Sequence, residues 1–161
     1  MELKNNGCKK EEKGVYRSTN FGETWQKRSS YMTTSPQYYN EIVVDPLNSD
    51  RIYALNTFTM KSEDGGATFA PLTTQWRHVD DHALWIDPNN TQHLYIGGDG
   101  GIYESWDRGS TWRHLRNLSI TQFYRVQPDY VEPFYNVCGG TQDNNSLCGP
   151  SRTTNVHGIT N

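Results

Sequence analysis

The chain has little that would make it helical, membrane-spanning or nucleic-acid-binding. No window keeps a 3.6-residue apolar period, so amphipathic helices are not expected. No stretch approaches the roughly 18 consecutive apolar residues of a membrane helix, so no membrane segment is expected either. Fifteen Lys and Arg stand against 18 Asp and Glu, for a formal net charge of −3 and a pI near 5.9. That balance removes any electrostatic argument for nucleic acid or an anionic membrane surface as partner. The opening "MELKNNGCKKEEKG" lacks the apolar centre of a signal peptide. What the chain does have is turns and aromatics: 34% hydrophobic and 12% aromatic residues with 14 glycines suit short strands better than helices.

The turns repeat. "STNFGETW" at 18–25, "SEDGGATF" at 62–69 and "SWDRGSTW" at 105–112 share Ser, Asp or Asn, Gly, Thr and an aromatic at positions one, three, five, seven and eight. Their first serines are 44 and then 43 residues apart. A second ladder, "VVDPLNSDRIY" at 43–53, "WIDPNNTQHLY" at 85–95 and a degenerate "RVQPDYVEPFY" at 125–135, runs ahead of the octapeptides. This period is that of four-stranded propeller blades. Within one repeat, His82–Asp87, His93–Gly97, Ile102–Ser105 and Thr111–Leu115 are expected as strands A to D. Antiparallel alternation then puts the A–B turn and the octapeptide at one end of the sheet, and the B–C turn and D–A link at the other.

The octapeptide explains itself chemically. Its Asp or Asn accepts bonds from turn amides, its Gly tolerates φ > 0, and its aromatic packs between sheets. The structural set is Ser18, Asn20, Gly22, Thr24 and Trp25; Ser62, Asp64, Gly66, Thr68 and Phe69; Ser105, Asp107, Gly109, Thr111 and Trp112. Trp25, Phe69 and Trp112 are expected in equivalent, largely buried places. Counting strands gives an irregular segment at 1–13, a half blade at 14–30, blades at 38–73 and 80–116, a half blade at 120–140 and an irregular tail at 141–161. The fold class is therefore all-β, a partial propeller, and the remaining blades are expected elsewhere in a longer chain.

The pattern S-x-D-x-G-x-T-W resembles the Asp-box, or bacterial-neuraminidase repeat, of sialidases, sortilin-type receptors and glycoside hydrolase family 74. "HALWIDPNN…IGGDGGIYESWDRGSTW" looks most like the sortilin and family 74 branch, and no Arg-Ile-Pro segment of the sialidase kind precedes the boxes. The resemblance implies secretion of the full-length protein. It also implies either a polysaccharide ligand, bound and hydrolysed through two carboxylates, or a non-enzymatic sortilin-like propeller that binds peptides or proteins.

Candidate residues follow from the sheet end opposite the octapeptides. Asp99 in "GGDGG" and Asp81 in "HVDDH" are the acid-base candidates, with Asp99 first. His82, Gln122, Asp143 and Asn40 are the ligand-binding candidates. The competing reading has Asp99 capping its own glycine turn and His82 bonding a neighbouring blade. No cofactor is expected, and no metal either: "HVDDH" has Val79 where a zinc-protease helix needs Glu, and no helix is expected there. "GGDGG" lacks the Gly-Lys-Ser/Thr of a phosphate loop. Cys138 and Cys148 bracket a core-poor loop that a disulfide could close, leaving Cys8 odd.

Overall fold

The structure, a computed structural model, describes residues 13–118, 122–142 and 145–153. Among the described residues every regular element is a strand. Strands β1 (Val15–Arg17) and β2 (Gln26–Ser29) form a two-stranded sheet. A four-stranded sheet follows, of β3 (Ile42–Asp45), β4 (Asn48–Ala54), β5 (Met60–Ser62) and β6 (Ala70–Pro71). A second four-stranded sheet holds β7 (Asp81–Ile86), β8 (Leu94–Gly98), β9 (Gly101–Ser105) and β10 (Arg113–His114). All pairings are antiparallel between sequence neighbours. These sheets belong to one compact unit ending at Arg116; residues 117–161 form another. Its sheet consists of β11 (Phe123–Pro128), β12 (Asn136–Thr141) and β13 (Ser146–Pro150). Sheets of two to four antiparallel strands are consistent with propeller-like blades.

The tail differs from the expectation of irregular chain after residue 140, because β13 pairs along β12 from Asn136↔Pro150 to Gly140↔Ser146. Cys138 and Cys148 sit directly opposite in that register, joined by a disulfide with Cα atoms 4.1 Å apart. The cross-link fastens a strand too short in apolar residues to announce itself. Cys8 lies outside the described residues.

Alternation within the four-stranded sheets builds the core. Leu84, Ile86, Leu94, Ile96 and Tyr103 face the same buried cluster as Tyr53, Leu55 and Leu72, with Val43 and Trp112 packed against it. Tyr53 and Leu94 are 0% exposed, and full burial of such side chains contributes about 1.5–3 kcal/mol each. Trp85, Tyr95, Glu104 and Arg113, paired across β7 to β10, form a row on the opposite side of that sheet.

Each octapeptide spans one hairpin, β1–β2, β5–β6 or β9–β10. The first-position serine hydroxyl donates to Oδ1 of the third residue, Asn20, Asp64 or Asp107, at 2.8–2.9 Å. That same Oδ1 accepts the amide of Thr24, Thr68 or Thr111 at 2.8–3.0 Å. The serine oxygen accepts the amides of Gly22, Gly66 and Gly109, whose φ angles of 92°, 85° and 82° disfavour a side chain.

The aromatics are less uniform than expected. Phe69 stacks on Tyr31 at 4.3 Å and Trp112 joins the core, both half-buried, but Trp25 is 63% exposed and donates only to its own Gly22 carbonyl. Phe69 packs on Tyr31, in the segment after β2, and Trp112 on the cluster shared by the two four-stranded sheets. Among the described residues no sheet precedes β1, so Trp25 has no surface to enter.

Candidate functional site

The strand register separates two ends of the β7–β10 sheet. Leu94 pairs with Ser105 at the octapeptide end, whereas Asp81 pairs with Gly98, and Gly98 with Gly101, at the other. A β-bulge between Asp81 and Ala83 interrupts the alternation there. It turns Asp81 into the sheet interior and leaves His82 exposed. Asp80, just ahead, has φ 77°.

Three segments meet at this end. The Asp80 amide donates to the Thr57 carbonyl at 2.8 Å, and the Asp99 amide donates to the Asp80 carbonyl at 3.2 Å. A Cβ on Gly98 would collide with the Asp80 carbonyl, so glycine lets the β8–β9 turn close against the link. His82 Nε2 lies 3.4 Å from Asp99 Oδ1 and 3.8 Å from Asp80 Oδ1. Behind it, the imidazole stacks on Tyr39 with centroids 5.2 Å apart and planes 16° from parallel. Tyr39 is buried, and exposed Tyr38 meets its edge at 6.5 Å. The result is a partly open surface with two carboxylates, one imidazole and two phenols.

The expected site residues separate. Asp99 and His82 come together as above. Asp81 does not join them: it is 2% exposed, ion-paired with Arg77, and accepts the Thr59 hydroxyl at 2.6 Å. Burial pushes its carboxyl up, against the pull of Thr59 and Arg77. So enclosed, the Asp81 carboxylate is turned away from the surface where Asp99 and His82 meet, and the bulge is the reason. Asn40 is exposed beside Tyr39, and it is Tyr39 that reaches His82. Gln122 belongs to the second unit, where its amide donates to Gln142 Oε1 at 2.8 Å. Asp143 lies outside the described residues.

Sequence reasoning missed Asp80 and Tyr39 as individuals. Adjacent acids at a strand start should face opposite ways, so "DDH" did signal that one of the pair would be buried; which one depended on the bulge. At the opposite end the carboxylates are held by their own turns. Thr68 and Ser62 hold Asp64 well below the usual aspartate range. Burial opposes the same effect at Asp107, where Thr111 and Ser105 prevail and lower it. Asp45 and Asp87 accept turn amides, of Leu47 and Asn89, each at 2.8 Å.

No protein-family model matches the chain, and no curated protein sequence matches it significantly. Solved structures do. An ancestral glycoside hydrolase family 74 enzyme matches at 21% identity and TM-score 0.51, over 63% of this chain and 15% of that one. The family 74 enzyme of Niastella koreensis matches at 19% identity and TM-score 0.50, over 85% of this chain and 24% of that one. The family 74 xyloglucanase of Xanthomonas campestris matches at 16% identity and TM-score 0.50, over 85% of this chain and 25% of that one. The chain thus spans a quarter or less of the structures it resembles, and the likeness is one of fold.

Proposed function

We propose that the chain is part of a secreted Asp-box propeller that binds polysaccharide, and that the full-length protein hydrolyses it with Asp99 as one of its two carboxylates. The observation that carries this reading is the continuous run Tyr38–Tyr39–His82–Asp99, at the sheet end away from the octapeptides. Sugars are recognised by polar groups that bond hydroxyls beside an aromatic face that stacks on the ring, and Tyr38, 70% exposed, offers such a face. Asp99 keeps 19% of its side chain exposed, open enough to meet a glycosidic oxygen. Glycoside hydrolysis needs a second carboxylate about 5–9.5 Å away, depending on stereochemistry. In this reading it comes from the rest of the protein.

Binding is tested by titrating the chain with xyloglucan oligosaccharides in a calorimeter. Tyr38→Ala and Asp99→Asn should each weaken the interaction at least about fivefold, the loss of one stacking or charged contact being worth about 1 kcal/mol or more. Binding indifferent to both changes would remove the site. Retention of peptides with no response to glycans would favour the sortilin-like alternative. For catalysis, Asp99→Asn in the full-length protein should abolish hydrolysis and leave folding intact; unchanged hydrolysis excludes Asp99 as acid or base.

A further inference from the structure

We propose that Asp80, His82 and Asp99 form a binding site for a divalent transition-metal ion. The donor set is one imidazole nitrogen and two carboxylate oxygens, drawn from the link before β7, from β7 itself and from the β8–β9 turn. All three donor atoms lie within 4.8 Å of one another. A cation bonded at about 2.0–2.4 Å holds adjacent ligands about 3–3.4 Å apart and opposed ligands about 4–4.8 Å apart. The 3.4 Å from His82 Nε2 to Asp99 Oδ1 matches the adjacent spacing, and the 3.8 Å to Asp80 Oδ1 lies between the adjacent and opposed spacings. They exceed the roughly 2.7–3.2 Å of an N–H···O bond. The imidazole stands off from both acids at the spacing of groups that share an ion, not a proton.

Charge and support point the same way. Two carboxylates converging on one imidazole repel each other unless positive charge lies between them. Stacking on Tyr39 fixes the His82 ring plane, the kind of outer support that orients a metal-binding imidazole. Side-chain exposures of 29% for Asp80, 43% for His82 and 19% for Asp99 leave room for water to complete the shell. Imidazole mixed with carboxylate favours Zn²⁺ or Mn²⁺ over Mg²⁺ and Ca²⁺, which prefer oxygen throughout. The "HVDDH" segment contributes by a route its spacing did not show: His78 turns away to the Val79 carbonyl, and Asp99 takes the place of the second histidine.

This inference is independent of the glycan reading and is tested without glycan. Metal-free 161-residue chain is titrated with substoichiometric Mn²⁺ while amide resonances are followed by NMR. Broadening should centre on residues 80–82 and 98–100; broadening centred elsewhere, or none, overturns the site. Calorimetric titration with Zn²⁺ should give one equivalent, weakened at least about tenfold by His82→Ala and by Asp99→Asn. His114→Gln, a histidine stacked on Tyr103, should not alter it. Unchanged Zn²⁺ affinity in both site variants, with native circular dichroism, also overturns the proposal. Should the variants not fold, the Mn²⁺ broadening of the native chain decides.

Discussion

At the octapeptide end of the β7–β10 sheet, Asp107 finds its donors within eight residues: the Ser105 hydroxyl, the Thr111 amide and the Thr111 hydroxyl, at 2.6–2.8 Å. At the other end, Asp80, Asp81 and Asp99 have partners from separate segments, and their fates diverge. Asp81 is buried against Thr59 and Arg77, while Asp80 and Asp99 face His82 at distances too wide for strong hydrogen bonds. A carboxylate surrounded by its own turn serves the fold. One whose partners are distant is either locked into the core or left able to meet something else.

The largest test of this contrast is Arg77→Ala. The Arg77 side chain is 0% exposed, and its guanidinium lies 5.1 Å above the Trp112 ring while pairing with Asp81. Removing it strands the Asp81 carboxylate in the interior, and breaking a buried pair in this way costs about 3–5 kcal/mol. Urea unfolding should show a loss of that order. A loss below about 1 kcal/mol would mean that Asp81 takes up a proton or reaches water at little cost, and that the bulged end is not pinned by this pair. Replacing both partners with apolar residues should recover much of the loss, because only the unpaired charge is expensive.

Asp107→Ala should have a smaller effect, about 1–3 kcal/mol, because its donors stand at a half-exposed turn where water can replace part of what is lost. Asp99→Asn should change stability by less than about 0.5 kcal/mol, because its contact with His82 is long at 3.4 Å and partly open to water. The two aspartates lie in turns at opposite ends of one sheet, eight residues apart, so equal losses of stability from the two changes would erase the distinction between ends.

The octapeptide was legible in the sequence because acceptor, donors and glycine lie within one turn, where spacing alone dictates the bonds. The strands of the third sheet fall within two residues of those expected from periodicity and turn residues. The site was legible only as a region. Tyr39 reaches His82 from the segment before β3, Thr59 reaches Asp81 from just before β5, and the bulge decides which of two adjacent acids is buried. None of these follows from spacing, since each depends on how sheets stack. β13 escaped notice for a related reason: its partner β12 and the Cys138–Cys148 link supply what its own residues lack.

The smallest effect concerns the copy of the octapeptide that departs from the pattern. Asn20 Oδ1 accepts the Ser18 hydroxyl and the Thr24 amide as the aspartates do, but its Nδ2 donates to Thr24 Oγ1 at 3.0 Å. In the other two copies the threonine hydroxyl donates to the carboxylate at 2.6 Å. In Asn20→Asp the Thr24 hydroxyl need only rotate to donate, and the amide bond gains charge assistance. The turn is open to water, so the gain at neutral pH should be about 0.5 kcal/mol or less. Its pH dependence identifies its origin. Asp64 and Asp107 are both held below the usual aspartate range by this bonding pattern, so the folded chain would bind a proton on the new carboxylate less readily than the unfolded chain. The gain should be complete above the unfolded aspartate value of about 3.9, shrink below it, and disappear as the pH falls through the lower folded value. Unfolding of variant and parent in urea at pH 7 and pH 3 measures this directly. A gain that does not shrink between pH 7 and pH 3 would come from something other than the ionised carboxylate.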